Sequence, residues 1–166
     1  MPCRESEANP SRMSRRKRLR VGRASAGLGL FATVPIRSGE LIAEYTGRRI
    51  TTAEANAREA RGARYMYEIN SRWTVDGSSR KNIARYANHS CRPNAESDVV
   101  KGKVILRAIR AIEPGSEITY DYGREYFDLI IKPMGCRCAH CGKKRASPVK
   151  PARSAARKRP RANGAG

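Results

Sequence analysis

The sequence predicts a mainly β domain of short strands, flanked by basic segments and closed by a small cysteine-rich piece. Three observations carry this. Short runs of β-branched and aromatic residues recur from Leu19 to about Phe127. Turn signals separate them at Ser38-Gly39, Asp76-Gly77, Lys101-Gly102 and Pro114-Gly115. Three cysteines then crowd into "GCRCAHCGKK", Cys136, Cys138 and Cys141, where thiolates two or three residues apart can wrap one metal ion.

Taken in order, the strand candidates are "GLFATVPI", "ELIAEYTG", "YMYEI", "RWTVDG", "KVILRAI" and "SEITYDYG". "AESDVVKGKVILRAI" reads as a hairpin, two β-branched runs about Lys101-Gly102-Lys103. One segment differs. "TTAEANAREARG" offers a capping box, Thr51 with Glu54, then Ala-rich helix formers and a stopping Gly62. The organisation expected is a basic, disordered segment over 1–18, a folded domain over 19–127, a metal-binding segment over 132–146 and a basic disordered tail over 147–166.

Charge narrows the partners. Lys and Arg number 35 against 15 acidic residues in 166, a formal charge of +20. Such a chain seeks anions: nucleic acid, acidic protein surfaces or anionic lipid. The tail carries Lys150, Arg153, Arg157, Lys158, Arg159 and Arg161 with no acid. It is too polar to offset its ordering entropy and suits loose, salt-sensitive phosphate contact with DNA or RNA. No stretch has the length of a transmembrane span and no apolar signal segment opens the chain, so an intracellular, reducing setting is expected. There, cysteines serve as metal ligands or buried groups rather than disulfides.

Three clusters could carry chemistry. The three C-terminal cysteines lack a fourth ligand. His140 is local but adjoins Cys141, so Cys91 in "ARYANHSCRPNAE" is the better fourth, stapling the C-terminal segment to the centre of the domain. Gly27 and Gly29 in "SAGLGLFATV" form a GxG that continues as a strand, which excludes a dinucleotide fold and leaves a turn where a ligand can lie against bare backbone. Tyr65 and Tyr67, then Tyr120 and Tyr122, alternate along two strand candidates. These phenols are either half-buried core residues or the walls of a narrow aromatic channel.

The order of these pieces, GxG, "YMYEI", "RYANHSCRPN", "GSEITYDYG" and a cysteine-rich end, resembles the SET-domain protein lysine methyltransferases over roughly Leu19 to Lys144. The resemblance implies a β-clip fold in which "NHS" and "ITYDY" meet in a pseudoknot-like threading, and a site for S-adenosylmethionine. It implies cofactor contacts from Ala26, Gly27, Leu28, Gly29, Arg85, Asn88 and His89 (the last chiefly through backbone), with Tyr126 over the adenine. It assigns catalysis to Tyr122, with Tyr120 and Tyr65 lining the lysine channel, Tyr67 packing, and structural Zn2+ on Cys91, Cys136, Cys138 and Cys141. A hydroxyl at Tyr120 implies mono- or dimethylation.

Two features depart from the family: CxCxxC replaces CxCx4C, leaving His140 open as a ligand, and no cysteine-rich segment precedes the domain. Substrate selection then falls to the insert around Thr51 to Arg61, the tails or partners. The expected substrate is a basic, DNA-associated protein, histone or histone-like, with Lys150 and Lys158 as possible self-acceptors. Glu96, Asp98 and Asp121 are the acids that could attract it. The site of action would be cytoplasm and nucleoid in a bacterium, nucleus and chromatin in a eukaryote. The competing reading is a catalytically idle SET-like module that binds DNA or chromatin through its basic tails.

Overall fold

The computed structural model describes residues 18–145. The basic tails, with Lys150, Lys158 and Cys3, lie outside the described residues. Among the described residues ten short strands form three small sheets, in keeping with the density of turn signals.

The first sheet has the order β1 (Leu19–Ala24), β2 (Gly27–Ala32), β10 (Glu117–Tyr120), β7 (Asn88–His89). β1 and β2 make an antiparallel hairpin in which Ala24 faces Gly27, so "SAGLG" sits at its tip. The second sheet is β3 (Leu41–Tyr45), β9 (Lys103–Ala108), β8 (Ala95–Val100); the third is β4 (Arg48–Thr51), β6 (Trp73–Asp76), β5 (Met66–Glu68).

The β8–β9 hairpin closes with Val100 opposite Lys103, so Lys101-Gly102 is a two-residue turn. Both turn residues have positive φ, 49° and 73°, the geometry whose twist matches antiparallel strands. β8 alternates cleanly: Ser97 and Val99 face inward while Glu96 and Asp98 are exposed.

Helix α1 (Thr52–Glu59) starts where its capping residue predicts, the Thr51 hydroxyl accepting from the Glu54 amide at 3.2 Å. The other half of the capping box is not made. The Glu54 carboxylate pairs instead with Arg58 at 2.6 Å and Arg48 at 3.3 Å, because a guanidinium four residues on is a better partner than one backbone N–H. Beyond β10 the chain turns through α2 (Arg124–Tyr126), a wide π turn (Phe127–Ile131) and α3 (Lys132–Met134), then reaches α4 (Ala139–Arg145).

Leu30, Ile36, Val104, Leu106 and Ile118 are the largest apolar side chains that are fully buried. Each contributes about 1.5–3 kcal/mol by leaving water. They come from β2, β9, β10 and the loop after β2, so the core joins the first two sheets.

Candidate active site and metal centre

The site is organised around "NHSCRPN". Asn88 and His89 pair in parallel with Thr119 and Tyr120, two segments about thirty residues apart. Past the strand, the Ser90 amide donates to the Tyr120 carbonyl at 3.0 Å and the Asn94 amide to the Thr119 carbonyl at 3.2 Å. The buried Asn94 side chain completes the clasp: its Nδ2 donates to the Glu117 carbonyl at 2.8 Å and its Oδ1 accepts from the Thr119 amide at 2.9 Å. β10 is thus bonded to β2 on one side and held by the 88–94 loop on the other. Asn94 owes its place here to this: its side chain does the work of a sheet ladder where the backbone leaves β10.

Asn88 spends both amide protons on protein, donating to the Leu28 carbonyl at 3.0 Å and to Glu117 Oε1 at 2.7 Å. What it can offer a ligand is its side-chain carbonyl oxygen. Gly29 makes this possible. A Cβ there would lie 2.7 Å from Glu117 Oε1 and 2.8 Å from the Ala24 Cβ, displacing the carboxylate that aims Asn88.

Ala26, Leu28, Arg85 and Asn88 line one cleft of about 760 Å³ with Tyr45, Tyr65, Tyr67, Tyr120, Tyr122 and Tyr126. Gly27, Gly29 and His89 are not among the residues that line it. Alternation along "YMYEI" predicts Tyr65 and Tyr67 on one strand face. The strand begins at Met66, and Tyr65 sits before it at φ 69°, its carbonyl held by the Gly77 amide at 2.9 Å and the Tyr45 hydroxyl at 2.8 Å. Both tyrosines still reach the cleft, and the Tyr67 hydroxyl bonds Ser97 Oγ at 2.8 Å.

Tyr120 and Tyr122 have ring centroids 4.7 Å apart, and Tyr126 stands edge-on to Tyr122 at 5.4 Å. The Tyr122 hydroxyl donates to the Ala87 carbonyl at 2.8 Å, fixing the phenol. Burial, then neighbouring phenols, pushes the pKa of Tyr120 well above the usual phenol range. Burial does the same for Tyr122 and Tyr45, so these groups are neutral donors and acceptors.

The Arg85 guanidinium lies 3.8 Å over the Tyr65 ring and donates through Nη1 to the Ser78 carbonyl, while its Nε is buried with no partner among the described residues. A carboxylate-bearing ligand in the cleft fits this orphan donor, as an ammonium fits the Asn88 oxygen; the donor set therefore suits the amino-acid end of S-adenosylmethionine. Of the three candidate acids, Asp121 borders the cleft, whereas Glu96 and Asp98 are exposed on β8. Tyr45, Arg64, Arg80, Tyr86 and Glu117 belong to the site or its support but were missed from sequence. Of these, Tyr86 inside "RYANHSCRPN" and Glu117 inside "GSEITYDYG" lie in motifs that could have signalled them.

The four cysteines converge. The sulfurs of Cys91, Cys136, Cys138 and Cys141 all lie within 4.8 Å of one another, with Cys91 3.8 Å from Cys136 and 3.6 Å from Cys141. Tetrahedral zinc with Zn–S near 2.3 Å needs sulfurs about 3.8 Å apart, so the set fits one zinc ion. The Cys141 amide donates to Cys138 Sγ at 3.4 Å, a contact that favours thiolate. The two-residue spacing is accommodated because Cys138 and Cys141 lie at the start of α4.

A family model described as SET domain matches residues 27–123. The chain is 34% identical over 140 residues to "Histone-lysine N-methyltransferase, H3 lysine-4 specific" of Emericella nidulans, covering 76% of this chain and 12% of the relative. It is 39% identical over 126 residues to "Histone-lysine N-methyltransferase trithorax" of Drosophila virilis, covering 70% and 3%. It is 37% identical over 128 residues to "Histone-lysine N-methyltransferase 2D" of Homo sapiens, covering 70% and 2%. The chain therefore spans a small part of the length of these relatives. Among solved structures it resembles a humanized mutant of the Chaetomium thermophilum Polycomb Repressive Complex 2 bound to an inhibitor, with TM-score 0.58 and 30% identity over 64% of this chain and 15% of that one. With the matched segment covering more than half the chain, and containing the GxG, the Asn94 clasp and every tyrosine of the cleft but Tyr126, this chain belongs to the SET-domain family.

Proposed function

We propose that this chain is a protein-lysine N-methyltransferase that uses S-adenosylmethionine and acts on a basic, histone-like protein. The observation that carries the proposal is the continuity of one cleft from the Ala26–Leu28 hairpin tip and Asn88 to a wall of seven tyrosines. That wall supplies an aromatic, electron-rich path for a lysine side chain beside a site suited to an amino acid's ammonium and carboxylate. The relatives' names specify histone lysines, H3 lysine 4 among them, which supports the substrate class.

S-adenosylmethionine, when bound, supplies an electrophilic methyl group. Asn88 Oδ1 would accept from its ammonium, Arg85 Nε would donate to its carboxylate, and Tyr126 would cover the adenine. The Ala26–Gly29 tip would lie against it through backbone. The chain's remaining work concerns the lysine. Holding a free amine at pH 7 costs about 4.6 kcal/mol for a side chain of pKa 10.4. An aromatic cleft from which water is excluded disfavours the ammonium and recovers part of that cost. Tyr122 lies beside both Tyr120 and Tyr126. Its hydroxyl, anchored on the Ala87 carbonyl, would fix the amine's line of approach and face the developing charge with oxygen lone pairs. Tyr122 is not the base, because burial holds its pKa above that of an ordinary phenol. Tyr120 and Tyr65 would line the lysine channel, and the Tyr120 hydroxyl would limit the product to mono- or dimethyllysine.

Zn2+ on Cys91, Cys136, Cys138 and Cys141 would be structural, holding the segment after Tyr126 against the 88–94 loop. The basic tails would add non-specific contact with DNA or RNA, placing enzyme and substrate on the same polyanion in chromatin or the nucleoid.

Labelled S-adenosylmethionine offered with histones, a lysate of basic proteins and the enzyme alone tests this. Label on protein lysine that vanishes with Tyr122→Phe is expected. No label anywhere, in a folded, zinc-replete preparation that still binds DNA, would favour an idle chromatin-binding module.

A further inference from the structure

We infer that the His89 side chain is a positioning residue that ties the Cys91 thiolate to the backbone of Tyr122, so that metal occupancy of the cysteine cluster governs the placement of the Tyr122 phenol. The His89 ring is almost wholly buried, its side chain 7% exposed, and lies outside the cleft walls. Its two nitrogens point to two different centres. Nδ1 accepts from the Tyr122 amide at 3.2 Å, and Nε2 lies 3.5 Å from Cys91 Sγ.

The tautomer follows from these contacts. Accepting from the Tyr122 amide requires a lone pair on Nδ1, so the proton of the neutral ring is on Nε2, aimed at the sulfur. The competing arrangement, a proton on Nδ1 shared with Asp121, is disfavoured by geometry. Asp121 Oδ1 is 3.6 Å from Nδ1, beyond hydrogen-bond range, and already accepts from the Gly123 amide at 3.0 Å. Phe127, ring centroid 5.3 Å away, and Tyr122, edge-on at 5.6 Å, hold the imidazole in its plane.

The result is a continuous path, Cys91 Sγ to His89 Nε2, then His89 Nδ1 to Tyr122 N. A thiolate on a metal is a stronger acceptor than a free thiol and is fixed in space, so it orients the ring that in turn fixes the Tyr122 backbone. Partners at this remove typically change metal affinity 10–100-fold. The inference rests on the reading of Tyr122 as catalytic only for its kinetic consequence.

Two substitutions cut the path at different points. In His89→Asn the side-chain oxygen can occupy the Nδ1 position but nothing reaches Cys91; in His89→Gln the amide nitrogen can occupy the Nε2 position but the acceptor for Tyr122 is lost. Transfer of zinc to a chromophoric chelator should be at least about tenfold faster in His89→Asn and within about threefold of wild type in His89→Gln. In a methyl-transfer assay His89→Gln should lower kcat about tenfold or more with KM for S-adenosylmethionine little changed. Equal zinc release from both variants would show that His89 only fills space and would overturn the inference.

Nitrogen NMR of the zinc-loaded wild type needs no variant to fold. It should find the His89 proton on Nε2, and zinc removal should weaken hydrogen-exchange protection of the Tyr122 amide while that of Ile118 persists. A proton on Nδ1, or a Tyr122 amide indifferent to zinc, rejects the coupling even if methyl transfer is confirmed. Absence of methyl transfer with the metal-release and NMR results intact would instead count against the proposed activity.

Discussion

The hydroxyl of Tyr122 donates to the backbone carbonyl of Ala87 at 2.8 Å, tying the phenol to the residue just before Asn88. One hydrogen bond joins the two motifs whose meeting makes the site. Tyr122→Phe should therefore lower kcat by about 10²–10³, the loss typical of one aimed polar group in a dry site. Stability should fall by only about 1 kcal/mol, the net worth of the bond. Steady-state kinetics beside thermal denaturation would show the split; a large loss of stability with little loss of rate would make Tyr122 a packing residue.

Gly29→Ala addresses the cofactor end. The added methyl would crowd Glu117 Oε1 and so release the Asn88 amide, and S-adenosylmethionine binding should weaken at least about tenfold, the scale of one charge-assisted bond of 1.5–3 kcal/mol. Glu117→Gln keeps a carbonyl oxygen for Asn88 and should cost less. Titration calorimetry of both variants ranks them.

The pH profile separates the lysine from the tyrosines. Because burial raises the Tyr122 and Tyr120 pKa values, both phenols stay protonated through pH 10 and contribute no break below it. The rate should climb with pH as the substrate amine loses its proton, with log(kcat/KM) rising about one unit per pH unit from 7 to 9. Tyr122→Phe should keep that slope at a lower rate. A slope that disappears in the variant would make Tyr122 the base.

Tyr120→Phe removes a hydroxyl from the wall nearest Tyr122. Mass spectrometry of the product should move from mono- and dimethyllysine towards trimethyllysine, with stability within about 1.5 kcal/mol. An unchanged product distribution would remove Tyr120 from product control.

Zinc content should be one ion per chain by elemental analysis. Chelation, or Cys138→Ser, should release the C-terminal segment from the 88–94 loop, lower the melting temperature by several degrees and abolish methyl transfer. Retention of full stability after complete metal removal would mean the four thiols hold the segment without it.

Much of the fold was legible because it is written locally. The Lys101-Gly102 turn and the Thr51 cap each follow from one or two residues and the backbone angles they favour; the helix itself ends at Glu59, before the expected stop at Gly62, which takes the positive φ of the following turn. The cysteine cluster was legible for a related reason: three ligands close in sequence define most of a tetrahedron, and Cys91 was the remaining cysteine within the folded span. Other features could not be read in this way. The Asn94 clasp on β10, the Glu117 brace on Asn88 and the entry of Tyr45 into the cleft join residues 20 to 29 positions apart, and no local pattern encodes such pairs. Tyr65 shows the difference most clearly. Alternation placed it on a strand, but the bonds its carbonyl accepts from Gly77 and Tyr45 hold it at φ 69°, because long-range hydrogen bonds outweigh a local backbone preference of 1–2 kcal/mol. The sequence by itself determined which chemical groups this protein carries and the short elements that bear them; the tertiary structure alone decided which of those groups meet, since parallel pairing of Asn88 with Thr119 is closed by contacts distant along the chain.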